Sequence, residues 1–247
     1  MYILGHPVAH SKSPEFWNGY FAENNIDYVY DYMDISDEVD AKKFIESRQF
    51  RAINITTPYK KLAYACADFL DDAAKFAGGV NFLINDEGVL YGYNVDGIGC
   101  VRAIESYGIN LKNNTVIVCG TGPTSKSIAF ALCQAGAVVL MLTRNLSKAD
   151  IPPHHDMNLG VLEYGAAAHD IEYANIIINA TTLGMKSVDA SPIDCDLLTP
   201  SQFVYDCIYG HGETELIRRA KLAGCSAYAG DRMLIEQAKA CRDILFK

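Results

Sequence analysis

Two groups of residues in this sequence have the types and spacing to hold a phosphorylated ligand. One is a glycine turn, Gly120-Thr121-Gly122-Pro123-Thr124-Ser125. The other is a basic turn, Thr143-Arg144-Asn145 with Lys148, in which Arg144 stands 24 positions after Gly120. Glycines let the backbone turn sharply and approach a ligand closely. Backbone N–H groups and the positive end of a following helix can then hold a pyrophosphate without a dedicated cation. The signature G-x-G-x-x-G/A is incomplete, because Ser125 occupies its third small position. By itself the turn leaves open an ordinary buried unit that binds no nucleotide. The second turn narrows the choice. NAD-binding folds place an acid there for the ribose 2′-hydroxyl, whereas an arginine suits a 2′-phosphate. No Asp or Glu occurs between Ala135 and Ala149. A dinucleotide bound here is expected to be NADP.

The elements that must position these turns are legible around them. Val116-Ile117-Val118-Cys119 is apolar at every position, as suits a parallel strand buried on both faces. After Pro123 a helical pattern places Ile128, Leu132 and Ala135 on one face, with Gly136 as its stop. A second apolar strand, Val138 to Leu142, follows. Strand, glycine turn, helix and strand make one βαβ unit of the dinucleotide-binding kind.

Composition excludes several classes. The chain has 247 residues, half of them hydrophobic, enough for one large or two modest domains. Its net charge of −9 and its lack of a lysine and arginine cluster argue against a nucleic-acid partner. Eight cysteines at irregular spacing, with no C-x-x-C pair, read as reduced thiols rather than a zinc or redox site. Nothing resembles a secretory leader or a membrane span, so a soluble cytoplasmic protein is expected.

Upstream, a short strand at Tyr2 to Leu4 leads into Gly5-His6-Pro7-Val8-Ala9-His10-Ser11-Lys12-Ser13-Pro14. The hydroxyls of Ser11 and Ser13 can face a cavity, but Ser13-Pro14-Glu15 also reads as a helix cap and first turn. Strands are expected at Asp27–Met33 and at 52–55, and helices over Glu38–Ser47 and Asp68–Phe76. Asn81 to Ile84 and Val89 to Tyr91 form a hairpin. Strands mixed with helices before the nucleotide unit point to a separate substrate domain ending near Asp96 to Gly99. Beyond Asn145, strands are expected at Asn175–Asn179 and Gln202–Cys207, and helices over Thr214–Ala223 and Arg232–Leu245. The pair His154-His155, in a proline turn, reads as solvated rather than as a metal site.

Taken together, these segments resemble the shikimate dehydrogenases and their quinate/shikimate relatives over nearly the whole chain. Gly5-x-Pro7-x-x-His10-Ser11-x-Ser13-Pro14 is similar to the family's substrate loop, and Asn54-Ile55-Thr56-x-Pro58-x-Lys60 to its catalytic-lysine motif. Val80-Asn81 and Gly92-x-Asn94-x-Asp96-Gly97 resemble the segments that carry a substrate asparagine and a catalytic aspartate. Asn179-Ala180-Thr181-x-x-Gly184-Met185, Tyr205-Asp206 and Met233-Leu234-x-x-Gln237 follow in the family's order.

The resemblance implies an α/β enzyme that interconverts 3-dehydroshikimate and shikimate with NADP, acting as a monomer or homodimer. It implies a substrate domain over residues 1–97 and 229–247, including a returning last helix. A Rossmann-like domain would occupy residues 98–228, with substrate bound in the cleft between the two. Lys60 would be the acid/base group and Asp96 its partner, since a nearby carboxylate stabilises an ammonium. Ser11 and Ser13 would bind the substrate carboxylate, while Thr56, Asn81 and Gln237 contact ring hydroxyls. Tyr209 would lie near the substrate and Met233 near the nicotinamide, although core packing accounts equally well for both. Thr181 would join the glycine and basic turns at the cofactor.

This sequence departs from the family pattern at several points. Phe82 and Val95 stand where threonine is common, and Trp17 stands where a histidine is typical. Tyr93 is closer to the quinate/shikimate branch, so quinate stays open as a substrate. The irregular glycine turn also leaves open a dinucleotide-binding regulator without turnover.

Overall fold

The computed structural model describes residues 1–9, 11–153 and 155–247. Two compact units emerge, one formed by Met1–Val95 with Gln237–Lys247, the other by Asp96–Glu236. Among the described residues no helix is long and apolar enough to cross a membrane.

The first unit is built on β1 (Tyr2–Gly5), β2 (Asp31–Asp34), β3 (Ala52–Ile55), β4 (Phe69–Leu70), β5 (Phe82–Asp86) and β6 (Val89–Tyr93). Their order across the sheet is β2-β1-β3-β5-β6-β4. The strands β2, β1 and β3 run parallel, whereas β5 is antiparallel to both β3 and β6. Helices α1 (Ser13–Glu23), α2 (Glu38–Ser47), α3 (Lys60–Cys66) and α4 (Asp72–Ala77) connect them. One face of the sheet is covered by Trp17, Phe21 and Tyr30 together with Ala240, Cys241 and Leu245 of the last helix. The other packs Ile53, Ile55 and Leu83 against Ala41, Ile45, Tyr59 and Ala63.

Three elements of this unit differ from the sequence expectation, each for a local reason. The strand expected from Asp27 pairs only from Asp31, because Tyr30 is drawn into a two-way bond with the Asn18 side chain, at 2.8 Å in each direction. The helix expected from Asp68 begins at Asp72. Asp68 is instead tied to Leu90, accepting its N–H at 2.8 Å, and Asp71 caps the helix by accepting the Ala74 N–H at 2.7 Å. For α3 the sequence offers only a helix-start lysine at Lys60, with no extent.

The second unit is a fully parallel sheet of β7 (Thr115–Cys119), β8 (Val138–Thr143), β9 (Leu159–Glu163), β10 (Ile176–Asn179), β11 (Phe203–Asp206) and β12 (Ser226–Ala229). The order is β12-β11-β10-β7-β8-β9. Chain direction therefore reverses its progress between β7 and β10, the arrangement that opens a ligand crevice at the carboxyl ends of those two strands. The strands expected around the glycine turn are present, and Val116–Cys119 is buried throughout as read from the sequence, whereas β8 leaves Val138 exposed and Leu140 half-buried. Helices α5 (Asp96–Glu105), α6 (Pro123–Gln134), α7 (Ala168–Tyr173) and α8 (Glu215–Leu222) flank the sheet. The closing helix α9 (Asp231–Leu245) starts in this unit and continues into the first from Gln237. This is the two-unit α/β architecture expected, with a Rossmann-like sheet in the second unit.

Two contacts fix the second unit near its crevice. The helices α5 and α6 cross so closely that a Cβ at Gly97 would overlap the Ser127 carbonyl oxygen and lie 2.7 Å from its carbon. The Gly97 N–H donates to Ser127 Oγ at 2.9 Å across the same contact. At the carboxyl ends of β10 and β11, buried Asp206 accepts from Asn179 Nδ2 at 3.0 Å, from the Ile208 N–H at 3.1 Å and from the Thr214 hydroxyl at 2.7 Å. Asn179 Nδ2 also donates to the Leu183 carbonyl at 2.9 Å. Burial raises the Asp206 carboxyl above its ordinary range, and these donors act against that rise.

The Gly97 crossing predicts that Gly97→Ala loses about 1–3 kcal/mol in urea unfolding, because the added methyl meets backbone rather than a movable side chain. In the same assay Gly19→Ala, where a Cβ meets nothing within 4 Å, is expected to gain up to about 1 kcal/mol of helix propensity. A second expectation concerns Asp206. Asn179→Ala should cost about 1–3 kcal/mol at neutral pH, since it strips a donor from a buried carboxylate. Asn179 stabilises the charged form, so its contribution is present above the folded Asp206 pKa and is lost as pH falls through it. Unfolding of both proteins at pH 7 and near pH 4 checks this. A gap that widens in acid would contradict the role given to Asp206.

Candidate functional site

In the first unit, strand direction brings the sequence-predicted residues to one edge of the sheet. Because β1 and β3 are parallel and β5 is antiparallel, the ends of β1 and β3, the start of β5 and the end of β6 share that edge. The register shows this directly, with Asn54 opposite Phe82 and Phe82 opposite Tyr93. Thr56 follows β3 and donates its N–H to Leu4 at 2.9 Å. Lys60 is the first residue of α3, and its carbonyl accepts the Val80 N–H at 2.9 Å, next to Asn81. Asn81 is buried and links three strand ends. Its carbonyl accepts from Ile55 at 2.8 Å, its N–H donates to Tyr93 at 3.0 Å, and its Oδ1 accepts from Val95 at 2.9 Å.

The loop after β1 delivers the two serines. Ser11 is buried, and its hydroxyl donates to Ser13 Oγ at 3.1 Å. The reading of Ser13 as a helix cap is corrected here. Ser13 is the first helical residue, and Lys12 takes the cap position without capping the helix through its side chain. The acceptor for the Ser13 N–H is Ser11 Oγ, two residues upstream, at 3.2 Å. Ser13 is thereby left to bond the Tyr30 hydroxyl, which donates to Asn54 Oδ1 at 2.8 Å. Trp17 lies flat against the Tyr30 ring, with centroids 5.9 Å apart and planes 5° from parallel. Trp17 thus helps fix the ring that the serine pair leans on. Asn54 Nδ2 reaches Cys241 Sγ at 3.3 Å, which fastens α9 to this edge. Gln237 precedes Cys241 by four residues and so shares its helix face. His10 lies outside the described residues.

In the second unit, the glycine turn sits at the carboxyl end of β7. Gly120 has φ +103°, and a Cβ there would stand 2.7 Å from Ser125 Oγ and 3.1 Å from Thr181 Cγ2. Only glycine fits that position. Ser125, the irregular third member of the motif, is buried, and its hydroxyl donates to the Ala180 carbonyl at 3.0 Å. It therefore spends its hydroxyl locking helix to strand, the packing role the third glycine fills elsewhere. Gly122 is the N-cap of α6, has no side-chain cap, and a Cβ on it would meet nothing within 4 Å. The turn of Thr121, Gly122 and Pro123 opens onto free space at the positive end of a helix of 12 residues. A cradle of that form fits a pyrophosphate.

Asp96, the first residue of α5, is buried and accepts from the Thr124 hydroxyl at 2.9 Å. The glycine-turn helix and the candidate catalytic carboxylate are thus joined by one bond. The charge of the same carboxylate also bears on Tyr209. Burial first, and then the charges of Asp96 and Asp231, push its pKa up. Thr181 leaves β10 with its N–H and hydroxyl both donating to Asn179 Oδ1, at 3.0 and 2.7 Å. Met233 is buried among Val118, Ile178 and Tyr205, and its N–H donates to the Tyr205 hydroxyl at 3.1 Å.

The basic turn leaves the end of β8. Arg144 is exposed, and Asn145 folds back to accept from the Ser147 N–H at 2.9 Å, shaping a single 3-10 turn over Leu146–Lys148. Two participants gave no sequence signal, and Asn54 was read only as part of the lysine motif. Tyr30 and Asn54 support the serine pair through tertiary contacts. Glu163, distant in sequence, accepts the Leu146 N–H at 3.0 Å from the end of β9. Among the described residues no group of His, Cys, Asp or Glu is placed to hold a metal, and His154 lies outside them.

Comparison with known proteins agrees with this geometry. Residues 3–83 match the family model of the shikimate dehydrogenase substrate binding domain. The shikimate dehydrogenase (NADP(+)) of Alkaliphilus oremlandii is 35% identical over 96% of this chain and 87% of its own length. The crystal structure of shikimate dehydrogenase from Aquifex aeolicus matches with a TM-score of 0.88 at 30% identity, covering 99% of this chain and 91% of that one. The Thermus thermophilus shikimate 5-dehydrogenase, solved in complex with NADP(H) and shikimate, matches with a TM-score of 0.86 at 30% identity, over 99% and 92% of the two chains. Fold, glycine cradle and near full-length similarity converge: the chain belongs to the shikimate dehydrogenase family, and it is an NADP-dependent oxidoreductase.

Proposed function

We propose that this chain reduces 3-dehydroshikimate reversibly to shikimate, with Lys60 as the acid/base group and Asp96 as its carboxylate partner. The observation that carries the reading is the gathering of Thr56, Lys60 and Asn81 at one sheet edge. Reducing a ketone requires a hydride at carbon and a proton at oxygen. NADP in its reduced form supplies the hydride when bound. Lys60 Nζ holds the proton at the reacting oxygen and returns to neutrality as it is given up. Asp96 orients a substrate hydroxyl and balances the ammonium. Ser11 and Ser13 donate to the substrate carboxylate, and Thr56, Asn81 and Gln237 take the ring hydroxyls. A site lined this way discriminates against analogues that lack a hydroxyl, because its own polar groups would lose their partners.

The cofactor is held through the backbone N–H groups of Gly120, Thr121 and Gly122, and of Thr124 and Ser125 beyond Pro123, with Thr181 alongside. Pro123 has no N–H of its own and sets the first turn of α6. Arg144 and Lys148 take the 2′-phosphate, and Thr143 and Asn145 shape their turn. Met233 and Tyr209 border the nicotinamide and the substrate. An acidic chain with this chemistry suits a cytoplasmic enzyme of aromatic amino acid biosynthesis, working as a monomer or homodimer. Quinate is a second candidate substrate. Phe82 and Tyr93, ring centroids 6.4 Å apart, put an aromatic pair beside Asn81 where a hydroxyl is common in the family.

Nicotinamide absorbance with shikimate or quinate, each crossed with NADP or NAD, tests the reading. Turnover is expected with shikimate and NADP, and Lys60→Ala should lower kcat by roughly 10²–10⁴-fold. Absence of turnover in all four pairings would falsify the proposal, and turnover with quinate alone would shift the substrate. Separately, Arg144→Ala should raise KM for NADP by roughly 10- to 150-fold, the loss of one charged hydrogen bond, and leave KM for shikimate nearly unchanged. An equal rise in both constants would mean that Arg144 does not contact the 2′-phosphate.

A further inference from the structure

The register that sets Thr143 opposite Glu163 brings a carboxylate to the flank of the basic turn. Glu163 Oε1 accepts the N–H of Leu146, which stands midway between Arg144 and Lys148. The turn is held at its other end as well. Lys126, buried on the helix that follows the glycine turn, donates from Nζ to the Asp150 carbonyl at 2.7 Å. Asn145 and Thr143 complete the frame by accepting the Ser147 and Asn145 N–H groups at 2.9 and 3.2 Å. The segment between β8 and β9 is thus anchored by a cation on one side and an anion on the other.

The hydrogen bond to Leu146 calls for an acceptor, not for a charge. A glutamine would make the same bond. A carboxylate adds a negative charge within about a Debye length of where Arg144 and Lys148 would meet a 2′-phosphate, and like charges at that range repel.

We propose that Glu163 is a positioning and specificity residue of the cofactor site. Its oxygen fixes the Arg144–Lys148 turn through Leu146, and its charge opposes the 2′-phosphate, which narrows the preference for NADP over NAD. The inference rests on reading Arg144 as the 2′-phosphate contact. It also explains how an acid can bear on cofactor choice although none occurs between Ala135 and Ala149 in sequence.

Calorimetric titration of the full chain with adenosine 2′,5′-bisphosphate and with 5′-ADP tests this without turnover. Glu163→Gln keeps the acceptor and removes the charge. It should tighten the bisphosphate by about 2- to 5-fold, leave 5′-ADP unchanged, and lose this gain at about 0.5 M salt. Glu163→Ala removes the acceptor too, and should bind the bisphosphate about 2- to 10-fold more weakly than Glu163→Gln, the worth of one neutral hydrogen bond. The inference is overturned if both variants match the wild type, or if Glu163→Gln shifts both ligands alike. Arg144→Ala in the same titration separates the two levels. Equal weakening of both ligands removes the 2′-phosphate reading and this inference with it. Selective weakening of the bisphosphate, with no effect of Glu163→Gln, removes the inference alone.

Discussion

Asn81 is the residue on which the candidate substrate site depends. Three strand ends meet through it. Its carbonyl receives β3, its N–H reaches the end of β6, and its side chain takes the N–H of Val95, the residue just before Asp96. The chain between Lys60 and Asn81 is closed into a loop by the bond from the Val80 N–H to the Lys60 carbonyl. Because Asn81 is buried, any loss of one of these bonds would leave a polar group without water to replace it. The position of Lys60 relative to the strand edge is therefore set by main-chain bonds in a dry environment, rather than by the flexible lysine side chain. Such a frame allows a long side chain to work at a defined point.

The second unit solves a related problem with a different device. Its crevice forms wherever the chain reverses its progress across a parallel sheet, and the topology places that point between β7 and β10. Topology alone does not shape the loops there. Buried Asp206 does, by drawing in Asn179, Ile208 and Thr214 from three segments. Asn179 then passes the constraint to Thr181 and Leu183. Burial raises the Asp206 pKa while each donor lowers it, so the network holds only as a set.

How much of this was legible in the sequence follows from the range of each interaction. The glycine turn, its strands and its helix are local patterns, and their bounds read directly from periodicity and from Gly136. The helix read over Thr214–Ala223 was equally local, and in the fold Thr214 is its cap, with its hydroxyl accepting the Ile217 N–H. Ser13 misled because the cap pattern was present but the geometry was not. A partner 17 residues away, Tyr30, engages its hydroxyl. The extent of the helix from Lys60 was hidden because its residues follow a proline turn and bury only Ala63, so no apolar stripe announces it. The short strand β12 buries no residue fully and pairs on one side only. Trp17 looked like a departure from the family pattern. In the fold it supplies the flat surface that holds Tyr30.

Charge balance is the remaining constraint. An acidic chain with net charge −9 has to attract an anionic cofactor and an anionic substrate. Long-range attraction cannot serve, since the average field repels both. Local groups must do the work within about a Debye length. The glycine cradle uses backbone dipoles, which carry no net charge and leave the acidic total untouched. In the proposed site the serine pair likewise offers hydroxyls, which carry no charge. Arg144 and Lys148 are the full charges that meet the cofactor in that site, and they occupy a short exposed turn. Lys126 and Glu163 anchor it, one buried beneath the turn and one beside it. An anchor that carries a negative charge weakens the field it stabilises. Rigidity and attraction are opposed at Glu163, and the choice of glutamate over glutamine there sets the balance between them.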